Sequence, residues 1–441
     1  MNEDAPQPSD PATRTTDPAA SRLSGTRRRL RTAGVIDGLW TATAAAGSKI
    51  QTLAALSIAG RMGDLGGLAI LVLATSTAIL AASVADLGLS SQIVRAYASG
   101  GVRRRADMLS AFAVRLGLCV PLAVAAAVGI NSVRTDIPNP VLWSGVIVFY
   151  AIAFLSSMLI TNMAYGLGRF RRGASLNGLV RAATIPALFG LSLVVADPLW
   201  LLVVLGVGEL VIAALQYRQA PEENPRPVAD PVGLGIRHSW RFGVGSIMNT
   251  FMNRSDTVII SGVASPQALG LYSVASQVEN ALTTAAMIPA GAATTYAARV
   301  RDRHAARSHR RTVTGTVVLA YLAMGVPFFL FAQPLTQFVL GVTIDDITPV
   351  RILVVSGLLS CLGSVAIKIL TGEGRQNAVA GIWVVTAVVT VVGMAAGAYF
   401  AGGTGAAIGA AARDTVFFVL TWIAVVTGHR RAASAPPPEP E

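Results

Sequence analysis

Twelve apolar stretches separated by short polar gaps constrain this chain more than any other feature. Read to within a few residues, they are 36–60, 68–88, 108–130, 142–164, 176–196, 199–216, 238–262, 269–297, 313–333, 350–371, 378–399 and 403–427. Most reach the roughly 20 residues that an α-helix needs to cross a bilayer. Because lipid offers no hydrogen-bond partner to exposed backbone groups, helices are the expected spanning elements. The sequence therefore predicts an all-α polytopic membrane protein with twelve transmembrane helices.

Arginines are concentrated in the N-terminal segment and in the gaps that follow even-numbered stretches. The densest gap holds Arg299, Arg301, Arg303, Arg307, Arg310 and Arg311. The gaps that follow odd-numbered stretches hold Arg61, Arg134 and Arg351 as their only arginines. Short loops rich in Lys and Arg stay in the cytoplasm. We therefore expect a cytoplasmic-membrane protein with both termini in the cytoplasm.

Composition excludes several classes of protein. With 53% hydrophobic and 13% charged residues, the 441-residue chain does not resemble a soluble globular protein. Its net charge of +12 lies mostly in short loops next to spans, so topology explains that charge and no nucleic-acid partner is expected. The cysteines, Cys119 and Cys361, lie inside apolar stretches and match no disulfide or metal pattern. Without a phosphate-binding GxxxxGK[ST] loop or paired histidines, the sequence predicts no catalytic residue, cofactor or metal site.

A proline-rich polar connection divides the stretches into six and six. We predict a disordered cytoplasmic tail at 1–32, an N-lobe of six spans at 33–217, a cytoplasmic linker at 218–237, a C-lobe of six spans at 238–428 and a disordered tail at 429–441. The linker contains PEENPRPVADP, which cannot continue a helix. An even number of spans in each half predicts parallel repeats about an axis along the membrane normal.

Ionisable residues inside the apolar stretches are candidates for function. Each costs at least about 2.5 kcal/mol near the bilayer centre. The candidates are Lys49, Glu209, Arg254, Asp256, Glu279, Arg413 and Asp414. The alternative for Arg413 and Asp414 is a structural ion pair, and for Glu209 a bridge between two spans. We expect Arg115, Arg181 and Lys368 to extend to the headgroup region instead.

Polar residues recur at helical spacing in the first, seventh and eighth stretches. Such stripes predict an aqueous cavity between the halves, although a network that only holds the helices together remains the alternative. The candidate cavity residues are Lys49, Asn249, Asn253, Arg254, Asp256, Tyr272, Glu279 and Asn280. The cations suit an anionic pyrophosphate. Carboxylates that could instead bind H+ or Na+ and couple transport are Asp256, Glu279, Glu209 and Asp414.

Several motifs resemble those of bacterial polysaccharide flippases of the MOP exporter superfamily. They are the stretch from Gly47 to Ala69, which contains Gly60-Arg61-Met62-Gly63-Asp64, then Asp86-Leu87-Gly88-Leu89, Tyr165-Gly166-Leu167-Gly168-Arg169-Phe170, Asn253-Arg254-Ser255-Asp256 and Leu269-Gly270-Leu271-Tyr272. The resemblance implies two six-helix lobes around a central cavity. It also implies flipping of polyprenyl-diphosphate-linked oligosaccharide to the outer leaflet, with Lys49 and Arg254 holding the anionic lipid or glycan.

The resemblance leaves rival functions open. A glycan polymerase or other export machinery is an expected partner of such a flippase. The principal alternative is a cation-coupled multidrug or small-molecule antiporter of the same superfamily. A membrane-bound glycosyltransferase or polymerase would need a large extramembrane loop with catalytic residues, which the sequence does not contain. A major-facilitator carrier agrees with the span count alone.

Overall fold

The protein is an all-helical bundle in the part of the chain that the computed structural model describes. These residues are 18–90, 93–94, 105–134, 137, 139–218, 240–288, 290 and 303–434. The helices are α1 (Pro18–Asp86), α2 (Arg105–Val133), α3 (Pro140–Gly166), α4 (Phe170–Ser192), α5 (Leu199–Arg218), α6 (Trp240–Val263), α7 (Pro266–Ala286), α8 (Arg303–Leu330), α9 (Ala332–Leu340), α10 (Thr348–Gly372) and α11 (Gln376–Ser434). Regular secondary structure in these residues is helical throughout, which confirms the predicted fold class.

Two of the helical segments each contain two spans. If α1 were straight, its 69 residues would extend about 104 Å, more than three times the thickness of the hydrocarbon core. A Cβ on Gly67 would instead lie 3.0 Å from the carbonyl oxygen of Ala59, so the chain folds back between these residues. In α11 the helix breaks at Ala401 and Gly402, and Gly402 has a φ of 57° that favours glycine. The fold therefore contains the twelve predicted spans.

Eight described stretches are long and apolar enough to cross a membrane. They are Leu65–Asp86, Phe112–Val133, Pro140–Gly166, Phe170–Ser192, Leu199–Arg218, Arg310–Leu330, Thr348–Gly372 and Gln376–Thr427, of which the last covers two spans. Helix α7 is outside this group because Gln277, Glu279 and Asn280 interrupt its apolar sequence. The low hydropathy of α7 therefore falls in the eighth predicted stretch, which is one of the three in which polar stripes were predicted.

The structure differs from the sequence prediction in several places. Helix α1 begins at Pro18 and α11 ends at Ser434, so parts of the two tails predicted as disordered are helical, which suits their Ala, Arg and Leu content. The linker 218–237 lies outside the described residues except for residue 218. Helix α7 ends at Ala286, earlier than the predicted end at 297. The short helix α9, which the sequence analysis missed, ends at Gly341 with a φ of 74°.

The two sets of predicted gaps define the two ends of the bundle. The "arginine-rich end" carries the gaps after even-numbered spans, and the "arginine-poor end" carries the turns at 60–66, 193–198, 264–265, 341–347 and 401–402. At the arginine-poor end, Asp346 accepts hydrogen bonds from the backbone N–H of Thr348 (2.9 Å) and from the hydroxyl of Thr404 (2.8 Å). These bonds tie the turn before α10 to the middle of α11.

Close packing within each half depends on small residues. The two spans of α11 meet along a glycine seam, where a Cβ on Gly405 would collide with the carbonyl oxygen of Gly397. Gly409 and Gly393 make an equivalent contact one helical turn further along the seam. Because glycine has no side chain, the two backbones can approach closely, a common device in membrane helices.

Helix α1 joins the N-terminal half (α1–α5) to the C-terminal half (α6–α11). It packs against α4 and α3 in its own half and against α6, α7 and α9 in the other. At the arginine-poor end, Gly60 approaches the carbonyl oxygen of Leu340, Gly341 approaches the side chain of Arg61, and Gly270 approaches the carbonyl oxygen of Leu65. At this end, the close contacts between the two halves therefore lie at glycines, which have no side chain to hold the two segments apart.

Candidate functional site

Lys49 and Arg254 bring two positive charges together from opposite halves. Lys49 lies on α1 and Arg254 on α6, and both side chains are half-buried. Arg254 is the charged group that acts electrostatically on Lys49. The carboxylate of Asp256 is within electrostatic range of Arg254, and the phenol of Tyr150 on α3 is also near it. Lys49 and Arg254 therefore lie within electrostatic range of each other, and their role in binding a substrate stays a prediction.

The asparagines of α6 lie on an exposed part of the same helix. Asn253 donates from its side-chain amide to the carbonyl oxygen of Asn249 (2.7 Å) and to its side-chain oxygen (3.2 Å). Both side chains are exposed, whereas Asp256 one turn further along is buried. The face of α6 therefore passes from exposed amides to a buried carboxylate.

Asp256 is held by α6 and α7 together. Its carboxylate accepts a hydrogen bond from the hydroxyl of Tyr272 (2.8 Å) and another from the backbone N–H of Thr257 (2.7 Å). Tyr272 is fully buried. Asn280, also on α7, is half-buried and donates to the carbonyl oxygen of Ser276 one turn earlier in its own helix (2.9 Å). The hydrogen bond between Tyr272 and Asp256 thus links α7 to α6. The hydrogen bond from Asn280 to Ser276 lies within α7.

A buried cluster in the C-terminal half is centred on Arg413. Its guanidinium donates to the Asp414 carboxylate from Nε (2.9 Å), lies 2.9 Å from the same carboxylate through Nη2, and donates through Nη1 to the carbonyl oxygen of Met252 (3.0 Å). The carboxylate of Glu279 lies 3.8 Å from Nη2 and within hydrogen-bonding reach of Asp414. Tyr321 is close to Glu279 as well. One guanidinium thus faces two carboxyl groups.

A second buried pair lies in the N-terminal half. Arg181 of α4 lies 2.9 Å from the carboxylate of Glu209 on α5, and its Nη1 also donates to the side-chain oxygen of Gln51 on α1 (2.6 Å). A Cβ on Gly208 would contact Thr184 and Gln51, so the glycine leaves room for this arrangement. Glu209 therefore bridges helices, the alternative that the sequence analysis left open for it.

Sequence reasoning missed part of these clusters and misplaced two arginines. Gln51 and Tyr321 were not selected because neither carries a charge that would be expensive in a membrane. We expected Arg181 and Arg115 to reach the headgroup region. Both predictions are wrong, because Arg181 pairs with Glu209 and Arg115 is buried. Hydropathy cannot show which carboxylate of a neighbouring span lies close enough to pair with an arginine. Among the described residues, no group of three or more His, Cys, Asp and Glu side chains is placed to hold a metal ion.

Comparisons with known proteins agree with this architecture. The family model described as polysaccharide biosynthesis protein matches residues 63–349, more than half of the chain. A comparison with curated protein sequences gives no match.

Similar solved structures include a MOP superfamily transporter from Pyrococcus furiosus, with 18% identity and a TM-score of 0.54, covering 91% of this chain and 96% of that chain. A multidrug resistance MATE transporter is similar in its outward-facing form, with 17% identity, a TM-score of 0.60 and coverage of 91% and 97%. An inward-facing structure of a multidrug resistance MATE family transporter of the MOP superfamily gives 16% identity and a TM-score of 0.56, covering 88% of this chain and 96% of that chain. At these identities the likeness shows the fold. By the family match, this chain belongs to the polysaccharide biosynthesis protein family, and its fold is similar to that of MOP superfamily transporters.

Proposed function

We propose that the chain flips polyprenyl-diphosphate-linked oligosaccharide from the cytoplasmic to the outer leaflet for cell-surface polysaccharide assembly. The observation that carries the proposal is the approach of Lys49 and Arg254 from opposite halves of the bundle. Two cations of like charge repel, so holding both in a half-buried region is favourable when an anion lies between them. A diphosphate supplies that anion, and guanidinium groups bind phosphate with two parallel hydrogen bonds.

The exposed asparagines give the proposed site a polar approach. Asn249 and Asn253 precede Arg254 on α6 and can bond sugar hydroxyls, since each amide carries both donors and an acceptor. The described contacts between the halves at the arginine-poor end join 57–65 to 270 and 340–342. We infer a cavity that receives substrate from the arginine-rich, cytoplasmic end and is closed at the opposite end. Alternating access of the two lobes would then expose the headgroup to the other side.

Ion coupling fits the Arg413 cluster rather than the Lys49–Arg254 pair. Lys49, Arg254 and Asp256 together carry a surplus positive charge, which suits the anionic substrate. Arg413, Asp414 and Glu279 carry a surplus carboxyl group, and two carboxyl groups within hydrogen-bonding reach share a proton or bind a cation. We therefore propose Glu279 and Asp414 as the position for H+ or Na+. Asp256 is a less suitable candidate because the hydroxyl of Tyr272 already donates to it, and Glu209 because Arg181 already pairs with it.

A transport assay in vesicles tests the substrate assignment. Purified protein would be reconstituted with a polyprenyl-diphosphate oligosaccharide, and glycan that becomes accessible to an added glycosidase would be measured over time. We expect Lys49→Ala and Arg254→Ala each to reduce flipping at least about tenfold, the loss of one charge-assisted hydrogen bond to the diphosphate. Lys49→Arg and Arg254→Lys keep the charge and should retain more activity.

A matched control and a rival substrate make the assay decisive. Arg351→Ala removes an arginine at the arginine-poor end, where its side chain lies over Phe329, and should leave flipping unchanged. Efflux of a cationic dye from the same vesicles tests the antiporter alternative. Unchanged flipping in both alanine variants, or dye efflux without lipid flipping, would overturn the proposed function.

A further inference from the structure

A cleft at the arginine-rich end lies apart from the proposed transport site. It is narrow, with about 10 Å³ of enclosed space, enough for one group the size of a water or hydroxyl, and it opens to the surface between the α3–α4 turn and α5. It is lined by Met163, Ala164, Leu167, Arg169, Arg172, Gly173 and Gln216. These residues belong to α3, α4, α5 and the turn between α3 and α4, whereas Lys49 and Arg254 lie on α1 and α6. The following proposal therefore does not rest on the proposed function.

One side of the cleft attracts negative charge. Arg169 and Arg172 line it, and between them the helix α4 begins at Phe170. Backbone N–H groups of a first turn have no acceptor within their own helix, and they carry the positive end of the helix dipole. Two guanidinium groups and a helix N-terminus therefore surround one small volume.

Gln216, which lines the cleft, has a buried polar atom that can accept a hydrogen bond. Gln216 on α5 is only 3% exposed, and its amide nitrogen donates to the carbonyl oxygen of Gly173 (3.2 Å). Its side-chain oxygen has no hydrogen-bond partner. An unmet buried acceptor costs about 1–3 kcal/mol. A hydroxyl group that enters the cleft would satisfy this oxygen while an adjacent anion contacts the arginines.

The turn that forms the cleft is held in place by ring contacts. Tyr165 and Phe170 stack across the turn with ring centroids 5.4 Å apart, and Gly168 between them has a φ of 71°. A Cβ on Gly173 would lie 3.2 Å from the ring of Tyr165. The neighbouring Arg171 points elsewhere, because its guanidinium lies over the ring of Trp40. These contacts hold the backbone of the turn that carries Arg169 and the start of α4.

We propose that this cleft binds the headgroup of an anionic phospholipid that carries a hydroxyl, such as phosphatidylglycerol. The phosphodiester would lie against Arg172, Arg169 and the N-terminus of α4. The headgroup hydroxyl would donate to Gln216. Met163 and Leu167 form the apolar border that the glycerol ester region requires. A cleft at the end of membrane spans meets such lipids directly, since they reside at the headgroup level.

Thermal stabilisation of the purified full chain by added lipid tests this site. In neutral detergent we would measure the melting temperature against increasing phosphatidylglycerol, phosphatidylcholine or inorganic phosphate. The wild type should be stabilised at lower concentrations of phosphatidylglycerol than of phosphatidylcholine. Arg172→Gln should raise the half-saturating concentration of phosphatidylglycerol about tenfold, since one charge-assisted bond is lost. Arg171→Gln removes the same charge one residue away and should leave that concentration unchanged.

Other arms of the same experiment distinguish the ligand sources. Gln216→Glu keeps the size of the side chain but adds a negative charge to the cleft, so it should weaken phosphatidylglycerol as strongly as Arg172→Gln does. It also replaces the arginine variant if that variant does not fold. Equal effects of Arg171→Gln and Arg172→Gln would show a general charge effect and overturn the site. Full stabilisation by inorganic phosphate alone would overturn the assignment to a lipid.

Discussion

The buried pair between Arg181 and Glu209 allows a quantitative prediction. Arg181→Met keeps most of the side-chain volume but leaves the Glu209 carboxylate buried without its guanidinium, which lies 2.9 Å away. Removing one partner of a buried ion pair costs about 3–5 kcal/mol. Gln51 loses its bond to Arg181 in the same variant, and its side-chain oxygen adds to the cost. We expect the free energy of unfolding to fall by about this amount.

The double variant Arg181→Met/Glu209→Leu separates pairing from packing. It removes both charges, so no uncompensated carboxylate remains, and exchanging a buried pair for apolar residues is often close to neutral. We therefore expect the double variant to be more stable than Arg181→Met alone. Unfolding would be followed by circular dichroism in mixed micelles with increasing denaturing detergent.

A second ion pair in the same chain serves as the control. Arg310 and Glu373 lie 3.5 Å apart, and their side chains are 18% and 28% exposed. The contribution of an ion pair falls as its exposure rises, toward less than about 1 kcal/mol at the surface, so Arg310→Met should have a smaller effect than Arg181→Met. If Arg181→Met destabilised no more than Arg310→Met, or if the double variant were as unstable as the single one, the reasoning about burial would be refuted.

Three further predictions concern coupling, packing and pH. Glu279→Gln and Asp414→Asn should each abolish the dependence of flipping on a pH or Na+ gradient, and wild-type gradient dependence in both would exclude this carboxyl pair from coupling. Gly405→Leu should prevent stable folding because a Cβ there already meets the backbone of Gly397, whereas Gly381→Leu, which has open space, should fold and serves as control in a detergent-stability assay. Hydrogen bonds from Thr348 and Thr404 lower the pKa of Asp346 below its usual value of 3.8, so its stabilising effect is present above about pH 4 and lost as the pH falls through the lowered pKa. The melting temperatures of wild type and Asp346→Asn should therefore differ at pH 7 and converge in acid; a difference that persists at low pH would contradict this assignment.

The number and order of the spans could be predicted from the sequence because membrane insertion depends on local apolarity. Helices α2, α3 and α10 begin and end within a few residues of the predicted stretches 108–130, 142–164 and 350–371. The helical spacing of Asn249, Asn253 and Asp256 also indicated a polar face of α6. These features depend on residues close together in the chain, so a single sequence contains them.

The partners of the charged residues could not be predicted in the same way. Glu279 and Arg413 meet although 134 positions separate them, and their contact depends on how α7 and α11 pack. Hydropathy likewise does not show that Arg181 turns toward Glu209 rather than toward the headgroups. Helix α9 was missed because nine residues are too few to produce a spanning signal.

The distribution of charge within the bundle has a mechanical consequence. Four ion pairs between described residues, Arg181–Glu209, Arg310–Glu373, Arg413–Glu279 and Arg413–Asp414, each lie within one half. The halves can therefore swing apart without separating any of these opposite charges. Lys49 and Arg254 repel each other across the boundary between the halves, and an anion bound between them would remove this repulsion. Under the proposed function, the bound substrate would therefore favour the arrangement in which the halves lie close together. Its release would favour the arrangement in which they lie apart.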